Sequence, residues 1–418
     1  MSIVSKGAAG ERVLLMGNDA TSRGALEAGV KLVAGYPGTP SSEIVQTLAQ
    51  AAGDHGLYVE WSVNEKVALE VAAAGSYAGL RSMAVMKQVG LNVASDFLLH
   101  LAEYGTRAGM VLVSCEDPGA LSSTNEGDSR PYAKMMEFPL VEPGDFQEAK
   151  DMAKWCFELS EEIRNVVMLR SVTRMSHASG NLVLGQIEPG SDRADFKYEG
   201  GFMDQMNGPA VTFPGMVDPM HQRQLAKLDE VRKIFETCPY NTYTGPAQPE
   251  LLVISSSAAY MYSREAVIML GLEKEVGLLK LGTTWPLPPQ LLKRHLSSAA
   301  KVLIVEEGTP FLEDNVKALA ADSAQEVGIK QFFGRAGGAL PPTNELNPDL
   351  VAQGLAKILS VPLPGAPAEY VATAAGLAVA IPAVIAFNHF MQKIRVIESE
   401  LHSFSADFLN ILDRDILR

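Results

Sequence analysis

Hydrophobic residues between positions 12 and 170 form short β-rich runs that alternate with segments of helical spacing. The short runs are RVLLMG from 12, KLVAGY from 31, LYVEW from 57, SMAVMK from 82, MVLVS from 110 and NVVMLR from 165. Between them, apolar residues recur every three to four positions, as at Val67, Val71 and Ala74. This alternation is typical of βαβ units and predicts an α/β fold with a mostly parallel sheet.

A second region of alternating pattern begins near residue 250. Its apolar runs are LLVISSS from 251, VGLLKL from 276 and KVLIVEE from 301, and helical spacing is found at 259–270, 288–296 and 311–321. The intervening segment is rich in Gly, Ser, Asp and Pro up to residue 215 and then predicts a polar helix at 217–238. We therefore predict α/β domains at residues 1–185 and 249–362, with a helix-containing connector at 186–248.

Turn-forming and polar residues follow four of the predicted strands. They lie in the segments GYPGTPSSE from 35, SVNEKVALE from 62, MKQVGLNVASD from 86 and CEDPGALSSTNEGDSRPYA from 115. The carboxyl ends of parallel strands share one edge of a sheet, where loops and helix N-termini converge on ligands. We therefore expect these four segments to lie at one edge and to form a ligand-binding crevice.

The composition is that of a core-forming protein, with 47% hydrophobic and 20% charged residues. A net charge of -14 and the lack of a Lys/Arg cluster argue against a nucleic-acid partner. The three cysteines form no CxxC pair, so local spacing encodes neither a zinc site nor an iron-sulfur cluster. With no apolar leader before the first strand, we expect a cytoplasmic protein without a signal peptide.

The four polar segments together strongly resemble the α-subunit of indolepyruvate ferredoxin oxidoreductases, which are thiamine-diphosphate-dependent 2-oxoacid:acceptor oxidoreductases. VEEGTPFLEDNV from 305 and GRAGGALPPTNELNPDLV from 334 resemble the transketolase-C-like domain of that family. The resemblance covers about residues 11–360. It implies a thiamine pyrimidine-binding-like domain at 1–185, a transketolase-C-like domain at 249–362, and oxidative decarboxylation of aryl 2-oxoacids to acyl-CoA.

The resemblance also implies a catalytic role for Glu65. In thiamine enzymes a glutamate hydrogen-bonds the pyrimidine ring and so favours the tautomer that removes the C2 proton of the thiazolium, which requires a dry carboxyl pocket. Glu65 matches the family position of that glutamate. From local sequence alone, an acidic residue at a helix start is usually a capping or dipole residue.

Five further residues match family positions that face the cofactor or the substrate: Thr39, Lys87, Asn92, Asn125 and Arg130. Thr39 is expected to face the thiazolium and the substrate carbonyl, and Arg130 to pair bidentately with a 2-oxoacid carboxylate. The alternatives are ordinary ones: an N-cap hydroxyl at Thr39, solvated or turn residues at Lys87 and Asn92, and a plain surface loop over 115–130.

The chain departs from the family pattern after residue 360. It contains no GDG motif for metal and diphosphate and no cysteine after Cys238. We therefore expect it to supply only the pyrimidine half of a thiamine diphosphate site and to be inactive alone. Magnesium and iron-sulfur clusters would be held by a partner subunit that carries the diphosphate-binding and iron-sulfur domains, in an oligomer.

The last segment, 363–418, predicts a hydrophobic helix followed by an amphipathic tail. Residues 370–391 carry no charge, and a helix of that length would span about 33 Å, near bilayer thickness. With Thr373 and Pro382, the segment resembles the last transmembrane helix and tail of MotA/TolQ/ExbB proton-channel proteins. The alternatives are a helix docked on the soluble body, a TolQ/ExbB-type fusion, or a non-catalytic interaction module anchored in a membrane.

Overall fold

The computed structural model describes residues 3–201, 203–208 and 213–363, which belong to one compact unit up to Pro362. Strands are β1 (Arg12–Met16), β2 (Leu32–Gly35), β3 (Tyr58–Trp61), β4 (Ser82–Lys87), β5 (Met110–Glu116), β6 (Leu140–Val141), β7 (Val167–Val172), β8 (Ser179–Val183), β9 (Thr242–Thr244), β10 (Leu251–Ser255), β11 (Val276–Lys280), β12 (Thr283–Trp285), β13 (Lys301–Val305) and β14 (Gln331–Phe333). Helices are α1 (Ile3–Lys6), α2 (Gly17–Glu27), α3 (Ser42–His55), α4 (Glu65–Tyr77), α5 (Gln88–Tyr104), α6 (Arg130–Met135), α7 (Phe146–Ile163), α8 (Thr173–His177), α9 (Val217–Glu236), α10 (Ser257–Leu270), α11 (Pro289–Leu296), α12 (Phe311–Asp322), α13 (Ala324–Val327) and α14 (Pro348–Leu359).

The larger sheet has seven strands in the order β12-β6-β7-β5-β4-β2-β3. Its neighbouring strands are parallel, except that β12 pairs antiparallel with β6. Successive side chains of β4 enter opposite cores, Met83 and Val85 on the side of α2, α3 and α7, and Ala84 and Met86 on the side of α4 and α5. Helices thus cover both faces, which explains why β4 and β5 are buried along their whole length and are mostly apolar. The predicted mostly parallel sheet is confirmed.

The first predicted strand does not join that sheet. β1 pairs antiparallel with β8 in a separate two-stranded sheet, with Leu15 opposite Gly180. Leu14 is 65% exposed whereas Leu15 is 5% exposed, so β1 has only one buried face. One-sided burial suits an antiparallel ribbon at the surface and not a strand covered on both faces, and the apolar run RVLLMG did not reveal this difference.

The second sheet has five strands in the order β14-β13-β10-β11-β9. β10, β11, β13 and β14 run parallel, while β9 is antiparallel to β11. The strands predicted from 251, 276 and 301 are confirmed as β10, β11 and β13. The helices predicted at 259–270, 288–296, 311–321 and 217–238 are confirmed as α10, α11, α12 and α9. The strands β6, β9, β12 and β14 were not predicted, because two or three residues give too little periodicity. β8 was missed because only two of its five residues, Leu182 and Val183, are apolar.

The two sheets share a packed boundary. Val172 at the end of β7 and Met175 in α8 belong to the same buried cluster as Val253 of β10 and Leu303 of β13. β12, from the later part of the chain, is an edge strand of the first sheet. The domain boundaries given above stay predictions.

The hydrophobic helix expected at 370–391 and the channel-like tail lie outside the described residues. Within the part of the chain that the structure describes, no helix is both long enough and apolar enough to cross a bilayer.

Candidate active site

The four polar segments lie at one edge of the seven-stranded sheet, as predicted. They follow β2, β3, β4 and β5, which run in the same direction in neighbouring positions. The carboxyl ends of these strands therefore place the turn after Gly35, the start of α4, the start of α5 and the loop after Glu116 side by side.

Glu65 is the first residue of α4 and is 8% exposed. Asn64 caps the helix through its side-chain oxygen, which accepts a hydrogen bond of 2.9 Å from the amide of Val67. The capping function is thus carried out by Asn64 and leaves the Glu65 carboxylate available. No group in the described ranges donates a hydrogen bond to that carboxylate.

The side chain of Glu65 lies against Gly90 in the first turn of α5. A β-carbon at position 90 would lie 2.4 Å from Cγ and 2.7 Å from Oε1 of Glu65. Only glycine allows α5 to approach the carboxylate this closely, so Gly90 forms one wall of the pocket around Glu65.

Lys87 joins three of the four segments. A β-carbon on Gly38, in the first segment, would lie 2.9 Å from Cβ of Lys87. The Lys87 ammonium donates to the carbonyl of Ser122 at 3.2 Å and lies 3.8 Å from a carboxylate oxygen of Asp117. Burial lowers the pKa of Lys87, and the Asp117 carboxylate opposes that shift only in part.

Thr39 is exposed, in a turn whose position is fixed from behind. The buried side chain of Asn18 donates to the carbonyl of Pro40 at 2.7 Å and to Glu43 at 3.1 Å. The carbonyl of Gly38 accepts a 2.7 Å hydrogen bond from the Ser41 hydroxyl. Sequence reasoning did not single out Asn18, although an asparagine directly after the first strand was the available signal.

Gln88 is a second residue that the sequence did not reveal. It is 3% exposed, and both polar atoms of its amide are buried without a hydrogen-bond partner. A β-carbon on Gly127 would lie 3.1 Å from its Cγ, so the loop after β5 packs on it. Buried amides are normally paired with protein groups or with water, so the Gln88 amide is free to bind a ligand or a water molecule at this edge. Its only sequence signal was its place beside Lys87.

Asn92 and Asn125 lie at the rim. Both are exposed; Asn92 accepts a hydrogen bond from the hydroxyl of Tyr132. Asn125 belongs to the loop that packs on Gln88, and its Oδ1 would be 3.8 Å from a β-carbon on Gly127. The structure thus brings both near the crevice, and their contacts with a ligand stay predictions.

Arg130 lies apart from these residues and is fully buried. Its guanidinium donates to the carboxylates of Asp128 and Glu306, each at 2.6 Å, and to the carbonyls of Glu307 and Thr309 at 2.7 and 2.8 Å. These protein oxygens occupy the fork that would bind a carboxylate ligand. A direct contact with substrate stays a prediction, and this geometry does not present the guanidinium to the crevice.

Comparison with known proteins identifies the family. The sequence profile described as "Pyruvate flavodoxin/ferredoxin oxidoreductase, thiamine diP-bdg" matches residues 23–232, half of the chain. The chain belongs to this family. The matched range contains every residue of the crevice described above except Asn18.

The similar curated proteins are subunits of 2-oxoacid oxidoreductases. Indolepyruvate oxidoreductase subunit IorA of Thermococcus kodakarensis is 40% identical over 85% of this chain and 54% of its own length, and that of Archaeoglobus fulgidus is 41% identical over 86% and 55%. 2-Oxoglutarate synthase subunit KorA of Methanothermobacter marburgensis is 25% identical over 75% of this chain and 93% of its own. The chain spans about half the length of the IorA relatives.

Solved structures share the fold. The 2-oxoglutarate:ferredoxin oxidoreductase from Magnetococcus marinus, with 2-oxoglutarate, coenzyme A and succinyl-CoA bound, superposes with a TM-score of 0.63 at 16% identity, over 83% of this chain and 65% of that one. A split-gene transketolase, described as an inactive beta4 tetramer, gives 0.52 at 15% identity, over 83% and 99%. These comparisons confirm the predicted family and give no support to the MotA/TolQ/ExbB resemblance or to the membrane-anchored alternative.

Proposed function

We propose that this chain is the α-subunit-like part of an indolepyruvate-type 2-oxoacid:ferredoxin oxidoreductase. In that role it supplies the side of the active site that contacts the pyrimidine ring of thiamine diphosphate. The reaction is oxidative decarboxylation of aryl 2-oxoacids to acyl-CoA, with electrons passed to ferredoxin. Support comes from the family match and from IorA relatives that are 40% identical.

The observation that carries the proposal is Glu65, which is 8% exposed at the sheet edge and whose carboxylate accepts no hydrogen bond from the described residues. Its oxygens are not among the fully buried unpaired atoms, so a ligand can reach them. A protonated pyrimidine nitrogen is a donor of the right kind. Gly90 has no side chain to cover the Glu65 carboxylate, because a β-carbon there would lie 2.7 Å from its Oε1.

When bound, thiamine diphosphate would supply a nucleophilic carbon. Glu65 would contribute by sharing a proton with the pyrimidine ring. Its place at the first residue of α4 puts the carboxylate beside the backbone dipoles of that helix N-terminus.

The other crevice residues would orient the substrate. Thr39 has an exposed hydroxyl in the turn fixed by Asn18 and is proposed to face the thiazolium and the substrate carbonyl. Lys87 places a cationic group beside the crevice, which suits an anionic 2-oxoacid. Asn92 and Asn125 are proposed to complete the rim.

The diphosphate, magnesium and iron-sulfur clusters are proposed to be held by a partner subunit. Among the described residues, no group of three or more His, Cys, Asp or Glu side chains is arranged to hold a metal ion. The relatives' names describe subunits, which agrees with an assembly of more than one kind of chain.

Exchange of the thiazolium C2 proton tests the role of Glu65. With the partner subunit present, Glu65→Gln should slow exchange at least about a hundredfold, the lower range for loss of a general acid-base group. Glu70→Gln, on the same helix and partly exposed, is the matched control and should exchange at the parent rate. An exchange rate for Glu65→Gln within a few-fold of the parent would leave Glu65 without this role. Acceptor reduction by this chain in the absence of any partner would contradict a different expectation, that the chain is inactive alone.

A further inference from the structure

The loop of residues 117–127, called here the covering loop, lies over Lys87 and Gln88. The carbonyl of Ser122 accepts from the Lys87 ammonium, and Gly127 packs on Gln88. Inside the loop, Asp117 accepts from the amide of Ser122 at 2.7 Å. The position of the covering loop therefore determines the surroundings of two residues at the crevice.

The outer side of the covering loop is attached to the part of the chain that forms the second sheet. The Glu126 carboxylate accepts from the amide of Gly119 at 3.1 Å and from the amide of Asn344 at 2.9 Å. Gly119 has a left-handed φ of 76°, and a β-carbon there would lie 3.2 Å from the amide nitrogen of Glu345. Glycine is required at 119 both by its conformation and by this close approach.

The carboxyl-terminal base of the loop is attached to the same region through Asp128. Its carboxylate, 2% exposed, accepts from the amide and the hydroxyl of Thr309 at 2.9 and 2.7 Å. Gly308 permits this contact, because a β-carbon there would lie 2.7 Å from Asp128 Oδ2. Thr309 follows β13, so Asp128 links the covering loop to the end of a strand in the second sheet.

Arg130 completes the attachment. It pairs with Asp128 on one side and with Glu306, directly after β13, on the other. Burial opposes ionisation of Asp128, yet the adjacent Arg130 guanidinium outweighs it and lowers the pKa of that carboxyl. Such buried pairs contribute little to net stability, but they fix geometry because any other arrangement would leave a charge unpaired.

We infer that Asp128 and Arg130 are positioning residues that fix the covering loop over Lys87 and Gln88 from the end of β13. The second sheet thereby takes part in forming the active site. The inference rests on the proposed function only in calling the crevice an active site. It also gives Arg130 a role that needs no direct contact with the substrate.

Hydrogen exchange of the full chain tests the attachment without any enzyme assay. Thr309→Val keeps the side-chain shape but removes the hydroxyl that donates to Asp128, and Asp128→Asn removes the charge. Both should speed amide exchange in residues 117–127 by about tenfold or more, since a local opening needs fewer contacts to break. Amides of β4 and β5 should not change in Thr309→Val. In Asp128→Asn, which also deprives the buried Arg130 of a carboxylate, they should be accelerated less than the loop amides.

Arg23→Lys is the matched control, since Arg23 is equally buried and pairs with Glu27 far from the covering loop. Arg23→Lys should lower overall stability without a selective acceleration of amide exchange in residues 117–127. The inference would be overturned if amide exchange in residues 117–127 were unchanged in both Thr309→Val and Asp128→Asn. It would also be overturned if amide exchange were accelerated equally throughout the chain.

A second measurement separates this inference from the proposed function. In the assembled enzyme, Thr309→Val should raise the KM for a 2-oxoacid at least about fivefold, while rate loss in kcat stays smaller, because loop position affects substrate binding first. A raised KM with unchanged loop exchange would assign the cluster to direct substrate binding and refute positioning. If loop exchange were faster in Thr309→Val but the assembled parent enzyme turned over no 2-oxoacid, only the proposed function would be refuted.

Discussion

Two regions of this protein bury charged side chains and treat them in opposite ways. At the sheet edge, Glu65 is 8% exposed and has no hydrogen-bond donor in the described ranges, and the amide of neighbouring Gln88 is unpaired. Between the two sheets, Arg130 is fully buried and donates to two carboxylates and two carbonyls. Burial alone therefore does not reveal how a polar group is paired, because the buried Gln88 amide has no partner while the buried Arg130 guanidinium is fully hydrogen-bonded.

The physical cost of the two arrangements differs. A buried polar group without a partner, such as the Gln88 amide, costs about 1–3 kcal/mol, and this cost is recovered when a ligand pairs with it. In the network between the sheets, the Arg170 guanidinium is shared by the carboxylates of Glu116 and Glu142, although its Nε has no partner. Removing one member of that network leaves its partners buried and charged.

The largest expected effect is therefore in the paired region. Arg130→Met should lower the free energy of unfolding by about 3–5 kcal/mol, because Asp128 and Glu306 would remain buried without their common partner. Denaturant unfolding monitored by far-ultraviolet circular dichroism measures it. Lys66→Met, which removes an exposed ion pair with Asp96, is the control and should cost at most about 1 kcal/mol. A loss as small as the control's would erase the distinction between the regions.

A smaller effect concerns Glu307, whose carboxylate accepts from Arg335 and from the amide of Leu346. Burial raises the pKa of Glu307 to about 7, although Arg335 opposes the shift. The folded state thus holds a proton that the unfolded chain releases near pH 4.5. Stability from this group is present below pH 4.5 and is lost as pH rises through 7, by up to about 3 kcal/mol.

Glu307→Gln should remove that loss, so its unfolding free energy should exceed that of the parent increasingly from pH 5 to pH 8. Urea unfolding at several pH values measures the difference. Glu250→Gln, at a partly exposed surface residue, is the control. Its free energy of unfolding plotted against pH should run parallel to that of the parent. If the free energies of unfolding of the parent and of Glu307→Gln differed by the same amount at all pH values, burial would not control the pKa of Glu307.

The smallest effect on stability, with the sharpest effect on the site, is expected at Gly90. Gly90→Ala gains up to about 1 kcal/mol of helix propensity but places its β-carbon 2.4 Å from Cγ of Glu65, which must move. The free energy of unfolding should change by less than about 1 kcal/mol, while C2 proton exchange in the assembled enzyme falls at least about tenfold.

Gly53→Ala in α3 is the matched control for Gly90→Ala, since a β-carbon there meets no atom within 4 Å. It should stabilise the chain slightly and leave proton exchange unchanged. Equal exchange rates in the two variants would mean that the wall at Gly90 does not position Glu65.

Much of the fold followed from local pattern. The mostly apolar runs of β4, β5 and β10 predicted strands of a mostly parallel sheet, and the helices α9 to α12 were found within a few residues of their predicted ends. Short strands and the separate pairing of β1 were missed, because strand partners are chosen by long-range packing. The family assignment also came from the sequence, through motifs whose residues are close in the chain.

The site was predictable only in part. Glu65, Thr39 and Lys87 belong to short motifs, and parallel strand order placed these motifs at one edge. Gln88 and Asn18 gave little local signal, because their roles depend on which atoms surround them after folding. Arg130 shows the reverse: its residue type suggested a carboxylate ligand, and the folded chain supplies carboxylates from Asp128 and Glu306.

The sequence by itself determined the alternation of strands and helices, the edge at which the polar segments meet, and the family. Only the tertiary structure decided which buried charges are paired, because a partner such as Glu306 lies 176 positions from Arg130 along the chain. Hydrophobic periodicity is a local property that neighbouring residues specify. Hydrogen bonding of a buried charge depends on atoms within about 3 Å, whatever their separation in sequence, and is therefore fixed only when the two sheets pack together.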